Sequence, residues 1–177
     1  MIEKDFRVKN ERLEEWNNIK KNIEVRVNIN YKADGQVKFR MKPWSIWWFD
    51  VGENIGTETS SHFSKEKMSS QRPCIIISTN NFHSASYNKK VMIMPLTSKK
   101  EKTKIKHFHY ELEADNYKAY IDKKSHIKYS GLLKNSLVIC NDIKTIDTKR
   151  IIEPIYGELS KGDIEKIKTF VSKYFGV

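Results

Sequence analysis

The sequence predicts a mainly β domain of the α+β class, a small twisted barrel of short strands closed by a C-terminal helix and preceded by a helix and a hairpin. Three observations carry this. Between residues 46 and 152 the apolar residues fall in short runs, of strand length, separated by polar, turn-rich segments. Residues 160–175 carry helical spacing behind an N-cap signal, and residues 9–23 carry a second helical stripe. A chain of 177 residues is the size of one domain with a sizeable core.

From the start of the chain, Leu13, Trp16, Ile19 and Ile23 recur at spacings of three, three and four with charge between them, the stripe of an amphipathic helix packed on the body. Val25, Val27, Ile29 and Tyr31 then alternate with polar residues, Asp34-Gly35 intervenes, and Val37, Phe39 and Met41 alternate again, which signals a hairpin. Beyond Pro43, Ile46–Val51 is a nearly unbroken apolar run suited to a central strand. Residues 52–71 are polar and turn-rich and read as a mobile loop of the functional kind. Strands are expected at Cys74–Ser78 and Val91–Leu96, joined by a polar segment through His83, and in HFHYELE (107–113), where alternation resumes. Ser136–Cys140 and Thr145–Ile152 follow as further short strands. Ser160, with Asp163 three residues on, caps a final helix whose apolar face is Ile164, Ile167, Phe170, Val171, Tyr174 and Phe175.

The formal net charge of +11 makes a polyanion or an acidic protein the natural partner, or else describes only a solvated Lys-rich surface. Cys74 and Cys140 each sit inside an apolar run and read as reduced core residues. The N-terminus is charged from its third residue and no apolar stretch approaches the ~18 residues of a membrane span, so a cytoplasmic protein with no membrane partner is expected.

The order of segments from about Trp44 onward resembles the MazF/PemK/Kid family of toxins. The residues that carry it are IWWFDVGENIGTE, with Gly56-Thr57-Glu58 at the family's Gly-Ser-Glu; QRPCIIIS at its Arg-Pro strand; VMIMPLTSK at its strand ending in Thr-Ser; NSLVICNDIKTIDTKRI; and YGELSKGDIEKIKTF at the Gly-x-Leu-Ser that opens the last helix. The resemblance implies an SH3-like barrel of the CcdB/PemK type over residues 43–177, acting as a homodimer, with residues 1–42 as an N-terminal extension that the typical toxin lacks. Two further departures are a longer stretch between Glu58 and Arg72, and Trp44-Ser45 in place of the usual Gly-Asp.

The resemblance also implies an endoribonuclease, the toxin of a toxin–antitoxin pair, that cuts single-stranded RNA without metal or cofactor. The ribose 2′-hydroxyl attacks the adjacent phosphate and leaves a 2′,3′-cyclic phosphate and a 5′-hydroxyl, chemistry that DNA lacks the nucleophile for. Such a site needs a base, stabilisation of the phosphorane and a proton for the leaving oxygen. Arg72 matches the family's catalytic Arg, and its guanidinium can hold two phosphate oxygens at once. Thr97 matches the active-site Thr, its hydroxyl suited to a non-bridging oxygen. Glu58 matches the Glu of Gly-Ser-Glu and either takes the 2′-hydroxyl proton, only orients the Arg, or sits solvated in a long loop.

Ser98 is a second hydroxyl. Lys99, Lys100, Lys102 and Lys104, in a run with five Lys and one Glu, can track an RNA backbone. His107 and His109, two apart on an expected strand, can donate a proton or contact RNA, with Phe108 between them to stack on a base, or all three can be solvated surface. Two His without further ligands make no metal site. An acidic, partly disordered antitoxin laid over the basic groove is the expected protein partner. Two other readings stay open at this point: a CcdB-like toxin that poisons gyrase by binding, and a non-catalytic RNA-binding module.

Overall fold

A computed structural model describes residues 2–25, 41–52, 62–64, 67–69, 71–79, 90–101 and 104–177. The expected hairpin over 25–41, the segment through His83 and residues Glu58 and Lys102 lie outside this set, apart from the two ends of the hairpin.

Helix α1 (Ile2–Val25) begins earlier than the apolar stripe and takes in Val25, expected in a strand. The stripe marks where a helix docks, not where it starts; Trp16 and Ile23 are buried as it requires. Strand β1 (Ile46–Asp50) follows. The stretch read as a loop over 52–71 is not one throughout, because β2 (His62–Ser64) pairs antiparallel with β3 (Lys67–Ser69). Then come β4 (Gln71–Thr79), β5 (Lys90–Ser98) and β6 (His109–Leu112). His107 falls in a turn before β6, so it does not share a strand face with His109 as the alternation suggested.

A small hairpin of β7 (Tyr120–Ile121) and β8 (Lys128–Tyr129) was not foreseen; two-residue strands carry no periodicity to read. Strand β9 (Ser136–Ile139) matches expectation. The single strand expected over 145–152 is two, β10 (Lys144–Asp147) and β11 (Ile151–Tyr156), split by a 3-10 turn at Thr148–Arg150. Asp147 enforces the break by accepting the Lys149 N–H at 2.8 Å, a local side-chain bond that competes with the ladder.

The main sheet is antiparallel and runs β11-β1-β4-β5-β9-β6, with β10 also on β5. One edge of β5 pairs with β10 over residues 90–93 and with β9 over 96–98. Pro95, which has no N–H to give, sits in the gap between the two ladders. This handover lets the sheet wrap into a barrel. The side chains alternate accordingly. Trp47, Phe49, Cys74, Ile76, Ile93 and Ile146 fill one core, while Ile46, Ile75, Met94 and Leu96 pack outward against Ile164 and Ile167. Burial on both faces is why these strands read as continuous apolar runs.

The outer layer is helix α2 (Lys161–Phe175). Ser160 caps it as predicted, its Oγ accepting the Asp163 N–H at 3.1 Å. The Asp163 carboxylate does more than cap: it also accepts the hydroxyls of Tyr110 and Tyr117, tying α2 to β6. Cys74 and Cys140 are free and fully buried, and burial pushes both thiols up, Cys140 to about 11. Among the described residues no helix is long and apolar enough to cross a membrane.

Candidate active site

Where β4 begins and β5 ends, the two strands lie side by side. The register that pairs Ile75 with Met94 and Cys74 with Pro95, carried two residues on, sets Arg72 opposite Thr97. The ladder itself ends at Cys74 and Pro95, so these two residues, 25 apart in sequence, stand just past its end on neighbouring strands. Both line an open groove of about 570 Å³. Because the strands end here, residues of both sheet faces reach it: Arg72 and Thr97 from one, Trp48, Pro73, Leu96 and Ser98 from the other. Lys100 and Lys134 add positive charge along the groove and Glu153 a carboxylate.

Arg72 is half-buried. Desolvation holds its pKa below the ordinary value, and the charge of Asp142, on the turn between β9 and β10, offsets part of that lowering. Carrying the β5–β10 register on by two residues from Lys144 and Ile93 brings Asp142 beside Pro95, on the Arg72 side of the sheet. Its Oδ1 pairs with Lys144 at 3.4 Å, while its Oδ2 is buried with no hydrogen-bond partner among the described residues. Pattern reading missed Asp142, because a lone Asp in a turn is ordinarily solvated.

A second depression, of about 430 Å³, lies between α1 and the 3-10 turn and shares no lining residue with the groove. Arg150 donates there to the carbonyls of Asp50, at 2.8 Å, and Val51, and its guanidinium lies 5.4 Å from the Trp16 ring centre. Lys149 meets Glu24 at 3.1 Å. The helix thus docks at the exit of β1.

A family model for PemK-like, MazF-like toxins of type II toxin–antitoxin systems matches residues 42–175. The chain belongs to this toxin family. Solved structures are similar to it as well. MazF of Deinococcus radiodurans shares 15% identity and a TM-score of 0.50 over 78% of this chain and 99% of that one. Mycobacterium tuberculosis MazF-mt6 gives 15% and 0.43 over 67% and 94%. A mycobacterial endoribonuclease in complex with its cognate antitoxin gives 14% and 0.44 over 76% and 94%. No curated protein matches the sequence.

In this MazF-like toxin the matched span holds the whole groove, whereas α1 precedes it. Arg72, Thr97, Ser98 and Lys100 come together there. Lys99 turns its ammonium to Glu111, 2.6 Å away, and Lys104 is exposed outside the groove lining. His107, Phe108 and His109 are elsewhere. His109 pairs with Ile139, three residues along β9 from the groove residue Ser136, a distance of about 10 Å at the rise of a strand. There Phe108 and His107 pack against Tyr174 of α2 at 6.2 Å between ring centres. Burial and the Lys106 charge lower the His109 pKa. Among the described residues no group of three or more His, Cys, Asp or Glu is placed to hold a metal ion.

Proposed function

We propose that this toxin is an endoribonuclease that cuts single-stranded RNA in the cytoplasm by intramolecular transesterification, with Arg72 and Thr97 at its centre. The observation that carries the reading is that Arg72, at the start of β4, and Thr97, at the end of β5, line one cationic groove together. A phosphate seated there meets the guanidinium's fixed fork of donors and the Thr97 hydroxyl together. As the ribose 2′-oxygen bonds to phosphorus and the P–O5′ bond breaks, charge gathers on the non-bridging oxygens, which these donors stabilise. The 2′-hydroxyl proton passes to a base, for which Glu58 is the candidate, and a proton reaches the departing 5′-oxygen. Products are a 2′,3′-cyclic phosphate and a 5′-hydroxyl. Arg72 stays protonated throughout, so its part is charge stabilisation. Residues 43–177 form the toxin body, which pairs as a homodimer and is silenced by an acidic antitoxin segment, and residues 1–42 are an addition to it.

Incubation of the protein with a long single-stranded RNA in EDTA tests this. Discrete cuts ending in 5′-hydroxyls, reduced at least 10³-fold in Arg72→Ala, are expected, since loss of one such donor costs about 10²–10³ and this change removes two donors and a charge. Intact RNA beside an active control turns the reading to a gyrase-poisoning or binding-only toxin.

A further inference from the structure

The groove contains more than a phosphate site. Trp48 stands directly opposite Pro73 on the neighbouring strand, and Phe49 opposite Arg72, so the Trp48 backbone is one residue along and one strand spacing, about 4.8 Å, across from that of Arg72, and both side chains reach the groove from the two faces of the sheet. It is only half-buried: one side packs on the outer core and the rest lines the groove. Across the groove runs the segment 130–135. Leu133 is 88% exposed there, in a place where most leucines are covered. That exposure is not slack in the chain. The Gly131 N–H bonds Ile155 O at 3.0 Å, the Leu132 N–H bonds Tyr117 O at 2.8 Å, and Asn135 O accepts the Lys99 N–H at 2.8 Å. Gly131 adopts a φ of +72°, and a Cβ there would lie 2.5 Å from the Ala119 backbone nitrogen, so the path of the segment is set by close packing. Leu133 is held out over the groove from both sides.

We propose that Trp48 and Leu133 form the walls of a slot for one unpaired nucleobase next to the phosphate that Arg72 holds, and that Glu153 selects its edge. The inference rests on the ribonuclease reading of the groove. A half-buried indole with one part open to a cationic track is an arrangement that can bind single strands by stacking. Its neighbour in the groove, Glu153, is a carboxylate and accepts hydrogen bonds only, so it favours a base that presents an amino group, cytosine, adenine or guanine, over uracil. The slot thus makes Trp48, Leu133 and Glu153 specificity residues, distinct from the groups that handle the phosphate.

The test uses the full chain and short RNAs spanning a mapped cut, each with one abasic position, measured both by cleavage and by fluorescence-anisotropy binding. At one position beside the cut, loss of the base should lower wild-type kcat/KM by about 5- to 150-fold. Trp48→Leu, which keeps the core contact but loses the stacking plane, and Leu133→Ala, at a site too exposed to affect folding, should each be less than 3-fold sensitive at that same position. Glu153→Gln should accept uracil there as readily as cytosine. Equal abasic penalties in wild type and in both variants overturn the slot while leaving the ribonuclease intact. RNA that is bound but not cut, with an affinity that still depends on that base and on Trp48, removes the ribonuclease and keeps the slot. RNA neither cut nor bound overturns both.

Discussion

Gly52 and Trp16 are predicted to be thermodynamically coupled. Gly52 leaves β1 with φ +82°, and a Cβ built on it would fall 2.4 Å from Trp16 Cε2 and Cζ2, in hard overlap with the ring. Trp16 itself is 8% exposed, wedged between Gly52 and the Arg150 guanidinium. Trp16→Ala should cost about 3 kcal/mol, the low end for a buried Trp because the helix can partly undock. Gly52→Ala should cost about 1 kcal/mol for the left-handed backbone and a further 1–3 for overpacking. The overpacking part vanishes when the ring is gone. The double variant should therefore be more stable than the sum of the single effects by about 1–3 kcal/mol. Urea unfolding of the four proteins, followed by circular dichroism, gives the cycle directly. Additivity within about 0.5 kcal/mol would refute the docking of α1 against the exit of β1, as would a Trp16→Ala change under 1 kcal/mol.

Other predictions follow from the groove and the helix cap. Thr97→Val keeps the shape and removes the hydroxyl, so cleavage should fall about 100-fold with melting temperature nearly unchanged, and Thr97→Ser should retain most activity. Lys100→Ala and Lys134→Ala should each flatten the slope of log affinity for single-stranded RNA against log salt by about 0.7, read from anisotropy titrations over a range of salt. Burial raises the Asp163 carboxyl pKa, but bonds from Tyr110, Tyr117 and Ser160 outweigh it and hold the pKa below its ordinary value. A carboxyl depressed by folding stabilises above its unfolded pKa of about 3.9 and stops doing so as pH falls through its folded value. Wild type should accordingly lose melting temperature below about pH 4, while Asp163→Asn, less stable at pH 7, should draw level with it in acid.

Much of the fold was legible because local signals and burial agree. Ile46–Phe49, Cys74–Ile77 and Ile93–Leu96 are covered on both faces and so are apolar without interruption, and Ser160 with Asp163 announces α2 through chemistry contained within four residues. Where an element depends on a competing local bond, as at Asp147, or is too short to show a period, as in β7 and β8, the pattern misled or was silent. Arg72 and Thr97 were found through resemblance, since an Arg before Pro and a Thr ending a strand carry no chemistry of their own in one dimension.

The sequence by itself determined the class of fold, the capped closing helix and the buried thiols, while resemblance to the toxin family pointed to Arg72 and Thr97. Register decided the rest. Which of many lysines share a groove with Arg72, that Lys99 turns to Glu111 and that the 107–109 cluster stands about 10 Å off are facts of strand pairing. So is the place of Trp48, while those of Asp142 and Leu133 are set by the turn and loop that the paired strands anchor. Pairing joins residues far apart in the chain, and nothing in a residue's immediate neighbours encodes what lies across the next strand.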